Sequence, residues 1–152
     1  MDDGIVALAS DHAGFPLKET MKSALDERGV AYVDLGTDGP GSVDYPDFGF
    51  RMAQALANGR ADRGVLICGT GLGISMAANR FAWVRAAVCH DVTTARLARE
   101  HNDANVLALG GRIIGPEVAK DCLLAFLDTP FGGERHVRRV GKLGTPPDLS
   151  GS

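Results

Sequence analysis

The chain has 152 residues, which is long enough for one domain with a buried core that needs neither disulfides nor a structural metal. Its hydrophobic share of 45% and charged share of 23% are typical of a soluble globular protein, and the net charge of −3 provides no basic surface for nucleic acid or an anionic membrane. The acidic start does not look like a secretory signal, and no apolar run approaches the ~20 residues of a membrane span, so a cytoplasmic protein is expected.

Short β-rich apolar runs alternate along the chain with longer stretches of helical periodicity. Five strands are predicted: Ile5 to Ala9, Ala31 to Leu35, Val65 to Cys68, Arg85 to Cys89 and Val106 to Leu109. This alternation predicts a three-layer αβα sandwich with a five-stranded parallel sheet of flavodoxin-like or Rossmann-like order, as a single domain over residues 1–143. Residues 144–152 contain two prolines and little to bury, so a disordered tail is expected there.

Six helices are predicted between and after these strands. The first has Pro16 in its first turn and stops at Gly29, and the next three are predicted over about 47–58, from the glycine loop to about 79, and over about 92–100. The fifth is opened by Pro116, and a stripe of Val118, Cys122 and Phe126 is expected to be its buried face. A short sixth helix is predicted over 135–142.

A glycine-rich loop follows the third predicted strand. The run from Cys68 to Gly73 joins a buried strand to a helix, so backbone N–H groups and the positive helix end can face an anion. It is neither a Walker A loop nor a full GxGxxG fingerprint, because Ile74 stands where the third glycine would be. The helix N-terminus favours the thiolate form of Cys68, whereas Cys89 and Cys122 are interpreted as core residues. The alternative is a tight turn in which Cys68 only fills the core.

Two histidine segments are further candidates. Asp11 and His12 follow the first strand at the same carboxyl edge of the sheet as Cys68, although helix capping would also explain Asp11. His101 and Asn102 follow the fourth helix and therefore lie at the opposite edge. A partner chain would have to bring His101 to Cys68, and the alternative is a histidine that only ends a helix.

Basic residues near the end of the chain can bind a phosphate. Arg135 and Arg139 are four residues apart on a predicted helix, with Arg112 as a further candidate, and the alternative is a solvated basic face. The histidines form no HExxH or other zinc pattern, and the three cysteines form no CxxC pair. No metal and no disulfide are therefore expected.

Several of these segments together resemble a known family. In chain order they are SDHAG, DYPDF, ICGTGLGIS, AANRFAWVRAAVCHD, EHNDANVLALGGR and ERHVRRV. They resemble ribose-5-phosphate isomerase B, a family that also contains galactose-6-phosphate isomerase subunits, over about residues 4 to 142. The CGTGxGxS loop and the HND segment together are far more specific than either alone.

The resemblance implies an aldose–ketose isomerase that interconverts ribose 5-phosphate and ribulose 5-phosphate through an enediolate. It implies no cofactor, and a homodimer with active sites shared between subunits; whether dimers pair into tetramers is open. By position, Cys68 would be the base, His101 with Asp11 would assist ring opening, and Thr70 is counted with them as catalytic. The residues expected to contact the substrate are Asp11, His12, Tyr45, Gly69, Thr70, Gly71, Leu72, Gly73, Asn102, Arg112, Arg135 and Arg139. Some relatives use a glutamate where this chain has Ile74, so this chain resembles the thiol-based branch.

Other functions stay open at this point. The substrate could instead be galactose 6-phosphate, allose 6-phosphate or a tetrulose phosphate, because the loop over 36–47 that would size the pocket cannot be measured from sequence. A dinucleotide-binding oxidoreductase is the next alternative, with Asp91 about 20 residues after the glycine loop as the ribose-binding acid. A non-catalytic phosphate-binding module is the third class.

Overall fold

Five parallel strands form one sheet in the computed structural model, which describes residues 4–151. They are β1 (Ile5–Ser10), β2 (Ala31–Asp34), β3 (Arg63–Cys68), β4 (Ala86–Val88) and β5 (Val106–Gly110). The predicted five-stranded parallel sheet is confirmed, with strand ends within two residues of the prediction. Residues 1–3, which carry the acidic start, and residue 152, the last of the predicted disordered tail, lie outside the described residues.

The six predicted helices are confirmed. They are α1 (Phe15–Arg28), α2 (Tyr45–Ala57), α3 (Leu72–Ala78), α4 (Val92–Asn102), α5 (Pro116–Asp128) and α6 (Arg135–Leu143). Prolines lie in the first turns of α1, α2 and α5, where the missing N–H costs no helical hydrogen bond. Gly29 ends α1 in the left-handed conformation with φ of 73°, as its C-terminal position predicted. None of the helices within 4–151 is long and apolar enough to cross a membrane.

The helices cover both faces of the sheet. Helices α1, α4 and α5 pack against one set of alternate strand residues, including Leu8, Ile67 and Leu109. Helices α2 and α3 pack against the other set, which includes Leu66 and Cys68. Because successive residues of a strand point to opposite faces, a sheet covered on both sides needs continuous apolar strands, and this explains the apolar runs in the sequence. The three-layer αβα prediction is confirmed.

The predicted buried stripe of α5 is wrong at one residue. Val118 is 42% exposed, whereas Cys122 and Phe126 are fully buried. The buried residues of α5 are Ala119, Cys122, Leu123, Phe126 and Leu127. Because the stripe starts at Ala119 and continues at helical spacing, the neighbouring Val118 points about 100° away from its centre.

The strand order places the functional edge. The order is β2-β1-β3-β5-β4, so the chain winds to one side of β1 to form β2 and to the other side to form β3. The carboxyl ends of β1 and β3 are adjacent, with Ser10 paired to Ile67. In open α/β sheets, ligands bind at the carboxyl ends of the strands at such a switch point. The order differs from the flavodoxin order 2-1-3-4-5 in that β5 lies between β3 and β4.

Candidate active site

Cys68 is the last residue of β3 and lies at the switch point. It is 5% exposed, on the sheet face that α2 and α3 cover. Its Sγ accepts a hydrogen bond from the N–H of Gly71 at 3.1 Å. The loop turns back to make this contact because Gly71 adopts the left-handed conformation with φ of 81°. This hydrogen bond fixes the position of the sulfur beside the glycine loop.

The glycine loop leaves several backbone donors available. The N–H groups of Gly69, Thr70 and Gly73 have no acceptor among residues 4–151. Thr70 is exposed, and its Oγ1 accepts a hydrogen bond from the N–H of Leu72 at 3.2 Å. Successive free N–H groups at the start of a helix can bind an anion without rearrangement.

The turn after β5 supports this loop. The N–H of Gly111 donates to the Cys68 carbonyl at 2.9 Å, and the N–H of Arg112 donates to the Gly69 carbonyl at 3.0 Å. The Arg112 side chain lies across Gly69, because a Cβ built on that glycine would be 3.4 Å from the Arg112 guanidinium. The structure therefore places the predicted phosphate-binding Arg112 beside Cys68, where its exposed charge faces solvent at the carboxyl edge.

Asp11 and His12 lie beside the glycine loop. The N–H of Asp11 donates to the Ile67 carbonyl at 3.2 Å, which joins the end of β1 to the residue before Cys68. The Asp11 carboxylate accepts from the N–H of Gly14 at 3.0 Å, in the turn before α1. Gly14 is the N-cap of α1 and this helix has no side-chain cap hydrogen bond, so the capping alternative for Asp11 is wrong. Gly14 approaches β3 closely, because a Cβ there would lie 2.4 Å from the Ile67 carbonyl oxygen.

His12 is held in one orientation by the segment between β2 and α2. The N–H of Val43 donates to His12 Nδ1 at 3.2 Å. A neutral imidazole that accepts at Nδ1 carries its proton on Nε2, so Nε2–H is the available donor. The same segment leads into Tyr45, the half-exposed first residue of α2. The Tyr45 ring covers Gly73, because a Cβ on Gly73 would lie 2.5 Å from the ring.

The other predicted residues lie elsewhere in the protomer. Asn102 is the last residue of α4. The backbone oxygen of the next residue, Asp103, accepts a hydrogen bond at 2.8 Å from Arg85, the residue that precedes β4. This is the amino edge of the sheet, whereas Cys68 pairs with Gly110 at the far end of β5. The four residue steps along β5 from Val106 to Gly110, at ~3.3 Å each, separate the two edges by about 13 Å. A cavity of about 530 Å³ lies at this amino edge and includes Asn102 in its lining, but not Cys68.

His101 belongs to the same remote group as the α6 arginines. Its ring stacks on that of His136 with centroids 4.6 Å apart. Desolvation, Arg135 and the His101 ring lower the pKa of His136. Arg139 also acts on His136, and no residue of α6 is buried. The structure therefore gathers His101, Asn102 and the basic α6 at the amino edge, away from Cys68.

The two other cysteines lack the setting of Cys68. Cys89 and Cys122 are 1% and 0% exposed, as expected for core residues. Burial raises the pKa of each thiol to about 11. Both therefore stay protonated near neutral pH, and the Cys89 thiol donates to the carbonyl of Ala87 at 3.7 Å.

The strand order removes the basis of the dinucleotide alternative. Asp91 follows β4, and β5 separates β4 from the glycine loop after β3. In a dinucleotide fold the ribose-binding acid follows the strand beside the one that carries the loop. Asp91 instead caps α4, because its Oδ1 accepts from the N–H of Thr94 at 2.7 Å.

One buried charge near the site was not identified from the sequence. Lys18 in α1 is 0% exposed and donates to Asp34 Oδ1 at 2.5 Å and to the Thr37 carbonyl at 2.6 Å. A signal was available, because Lys18, Met21 and Leu25 fall at helical spacing on one face. A charge within an apolar face indicates a buried partner.

Comparison with known proteins identifies relatives over nearly the whole chain. The model of the ribose/galactose isomerase family matches residues 6–143. Ribose-5-phosphate isomerase B of Escherichia coli is 48% identical over 135 residues, which cover 89% of this chain and 91% of that protein. The D-erythrulose-4-phosphate isomerase of Pectobacterium atrosepticum is 41% identical over 140 residues, which cover 91% of this chain and 92% of that protein.

The fold agrees with a solved structure of the same kind. Ribose-5-phosphate isomerase B of Clostridium thermocellum superposes with a TM-score of 0.91 at 51% identity, covering 92% of this chain and 95% of that one. Matches of this extent confirm the resemblance read from the sequence. The chain belongs to the ribose/galactose isomerase family and is an enzyme of the aldose–ketose isomerase type.

Proposed function

We propose that this enzyme interconverts ribose 5-phosphate and ribulose 5-phosphate, with Cys68 as the base. The observation that carries the proposal is the Cys68 Sγ at the switch point, 3.1 Å from the N–H of Gly71, in a chain 48% identical to a ribose-5-phosphate isomerase B. In the forward direction the thiolate takes the proton from C2 of the open-chain aldose and returns it to C1, while the hydroxyl proton on O2 is transferred to O1. The electrons stay on the substrate, so the proposed reaction uses no cofactor.

The glycine loop is proposed to stabilise the enediolate between the two proton transfers. Negative charge develops on the substrate oxygen as the C2 proton leaves. Backbone donors that are already oriented stabilise such charge, and removing one donor of this kind costs ~3 kcal/mol in well-studied enzymes. The free N–H groups of Gly69, Thr70 and Gly73 suit this role, since the N–H of Gly71 is already used on the sulfur.

Ring opening must come before isomerisation, because the sugar rests mainly as a closed furanose. We assign protonation of the ring oxygen to His101, since an imidazole exchanges protons near neutral pH. Asp11 accepts the proton of the anomeric hydroxyl. One oxygen of its carboxylate already accepts from the N–H of Gly14, which leaves the other oxygen for this role.

The complete site is proposed to require two copies of the chain. Asp11, His12, Tyr45, Arg112 and the glycine loop lie at the carboxyl edge, whereas His101, Asn102, Arg135 and Arg139 lie in the other group. In a twofold dimer, the carboxyl-edge group of each protomer can meet the amino-edge group of its partner, which gives two complete sites per dimer. Arg135 and Arg139, with Arg112, would then hold the phosphate as charge-assisted donors.

A tetrulose phosphate is the second candidate substrate. The relative at 41% identity carries the name D-erythrulose-4-phosphate isomerase, so the family scaffold accommodates a shorter sugar. The base and the donor loop act on the first two carbons and are independent of chain length. Discrimination between sugars is therefore expected to come from the segment over 36–44 and from the phosphate-binding arginines.

The test is conversion of ribose 5-phosphate to ribulose 5-phosphate by purified protein in EDTA. Loss of a general base lowers kcat by roughly 10²- to 10⁴-fold, so Cys68→Ala is expected to lose activity to that extent. Cys89→Ala, at another buried thiol, is the matched control and is expected to retain the kcat of the unmodified enzyme. Full activity of Cys68→Ala would exclude the thiol base. No turnover by the unmodified enzyme, together with turnover of erythrulose 4-phosphate, would favour the second candidate.

A further inference from the structure

We propose that Lys18 is a positioning residue for the sugar-phosphate site, holding the segment over 36–44 so that Val43 keeps His12 in a single tautomer. This inference rests on the proposed function, in which an oriented His12 contacts the sugar phosphate. It concerns a residue that does not touch the glycine loop or Cys68.

Lys18 is a fully buried charge with two short contacts. It is 0% exposed, and its Nζ lies 2.5 Å from Asp34 Oδ1 and 2.6 Å from the Thr37 carbonyl oxygen. Burial of an ammonium group is unfavourable unless its hydrogen bonds and ion pairs together compensate for the lost hydration. One of its two acceptors is a backbone carbonyl in the connection after β2, so the position of Lys18 and the path of this connection determine each other.

Thr37 joins this lysine to the end of β1. The Thr37 N–H donates to the Ser10 carbonyl at 2.8 Å, and the Ser10 N–H donates to the Gly36 carbonyl at 2.8 Å. Ser10 directly precedes Asp11. From the α2 side, Arg51 donates to the Leu35 carbonyl at 3.2 Å. The start of the segment is thus held between α1, β1 and α2, with Lys18 as its donor from α1.

The far end of the segment reaches the candidate site. Val43 donates to His12 Nδ1 at 3.2 Å, and Tyr45 follows two residues later with its ring on Gly73. Acceptance at Nδ1 leaves the proton on Nε2, where it can be donated to a sugar oxygen. Release of Thr37 from Lys18 would let the segment shift, and the contact between Val43 and His12 would weaken with it.

Lys22 provides a matched control on the same helix. It donates to Asp34 Oδ2 at 2.9 Å and to Glu19 at 3.2 Å, and its contacts do not include the Thr37 carbonyl. In a Lys18→Met variant, Asp34 would keep Lys22 and the N–H of Gly36 as donors. Thr37 would lose the buried charged donor to its carbonyl. Both lysines contact Asp34, but only Lys18 contacts the segment over 36–44. A comparison of the two variants therefore separates the effect of losing a contact to Asp34 from the effect of losing the contact to Thr37.

The experiment compares Lys18→Met and Lys22→Met with the unmodified enzyme in steady-state kinetics on ribose 5-phosphate. Lys18→Met is expected to raise KM on the order of tenfold, the loss expected for one charge-assisted hydrogen bond. Its kcat should change less than about threefold, because Cys68 and its Gly71 donor lie on other elements. Lys22→Met should leave both constants unchanged.

A second readout does not depend on turnover. The ¹⁵N chemical shifts of His12 report which ring nitrogen carries the proton. A single Nε2–H form is expected in the unmodified enzyme, and a mixture of tautomers in Lys18→Met. If the unmodified enzyme has no isomerase activity, the proposed function fails, while this measurement still decides the role of Lys18.

Unchanged KM and unchanged His12 shifts in Lys18→Met would overturn the inference. If Lys18→Met does not fold, the double variant Lys18→Met with Asp34→Asn removes both members of the ion pair and leaves no unpaired charge. It still removes the donor to Thr37, so the same rise in KM and the same tautomer mixture are expected. A double variant with normal KM and a single His12 tautomer would overturn the inference equally.

Discussion

At the scale of single residues, a few hydrogen bonds orient or stabilise each polar side chain near the site. The N–H of Gly71 contacts the Cys68 sulfur, and the N–H of Val43 selects the proton position on His12. Asp34 follows the same rule. Burial by itself would raise the pKa of Asp34, but hydrogen bonds from Lys18, Lys22 and the N–H of Gly36 outweigh it, and the pKa lies below its ordinary value.

The lowered pKa of Asp34 predicts a pH-dependent contribution to stability. A carboxylate whose pKa is lower in the folded state stabilises the fold above its unfolded-state pKa, and this contribution is lost as the pH falls through the folded-state pKa. At pH 7, Asp34→Asn is therefore expected to lower the free energy of unfolding by about 3 kcal/mol, because the fully buried Lys18 ammonium loses its carboxylate partner. Below about pH 4 the difference should shrink towards zero.

Urea unfolding at a series of pH values measures this effect. Asp38→Asn, an exposed acid in the neighbouring segment, is the control and should show a small difference that does not change with pH. A difference for Asp34→Asn that persists undiminished at pH 2 would show that the charge of Asp34 is not what stabilises the fold.

At the scale of secondary-structure elements, glycine has two distinct uses in this chain. Gly29 ends α1 with φ of 73°, and a Cβ there would meet no atom within 4 Å. Gly71 opens α3 with φ of 81°, and a Cβ there would lie 3.0 Å from the Leu109 carbonyl carbon. Both positions need the left-handed conformation, but only Gly71 also needs close approach to the neighbouring strand.

These two glycines predict different outcomes for the same substitution. Gly29→Ala is expected to lower the free energy of unfolding by ~1–2 kcal/mol through backbone strain, with unchanged kcat. Gly71→Ala should carry the same strain and also displace the loop, which moves the N–H donor away from the Cys68 sulfur. Its kcat is expected to fall by roughly 10²-fold, the size of the effect expected when one oriented backbone donor is lost. Equal kcat values for the two variants would contradict the proposed role of the loop.

Helix α5 illustrates the limit of local patterns at this scale. Its existence and start at Pro116 follow from sequence, but the choice of Val118 for the buried stripe was wrong by one residue. Both Val118 and Ala119 are apolar, so periodicity alone fits either. Only the packing of the whole helix on the sheet selected Ala119.

At the scale of the whole molecule, the protomer carries two groups of candidate residues on opposite edges of the sheet. Cys68 and Asp11 lie at the carboxyl edge, and His101 lies at the amino edge with α6. If the proposed dimer joins them, every complete site contains residues of both chains.

Mixing two inactive variants tests this arrangement. Cys68→Ala and His101→Ala are each expected to have low activity, but their mixed dimer contains one site with both residues intact. After unfolding and refolding of an equal mixture, about half of the dimers are mixed, so about a quarter of the original activity should return. The matched control mixes Cys68→Ala with Asp11→Ala, which lie in the same group and should show no recovery. No recovery in the first mixture would place each site within one protomer.

Most of the fold and the position of the candidate glycine loop followed from the sequence by itself. Strands and helices were predictable because their periods of two and 3.6 residues are local, and the glycine loop was predictable because its residues are consecutive. The segments that resemble the isomerase family named the candidate site residues, because each segment is also a run of consecutive residues. Their placement agrees with the edges of the sheet expected for Asp11 and His101.

Only the tertiary structure decided which residues meet. It placed β5 between β3 and β4, which separated Asp91 from the glycine loop and made it a helix cap. It also brought the Lys18 ammonium to Asp34 and the Thr37 carbonyl, 16 and 19 residues away along the chain. Strand order and buried charge pairs depend on free energies summed over contacts between distant segments, and no local pattern in the sequence records that sum.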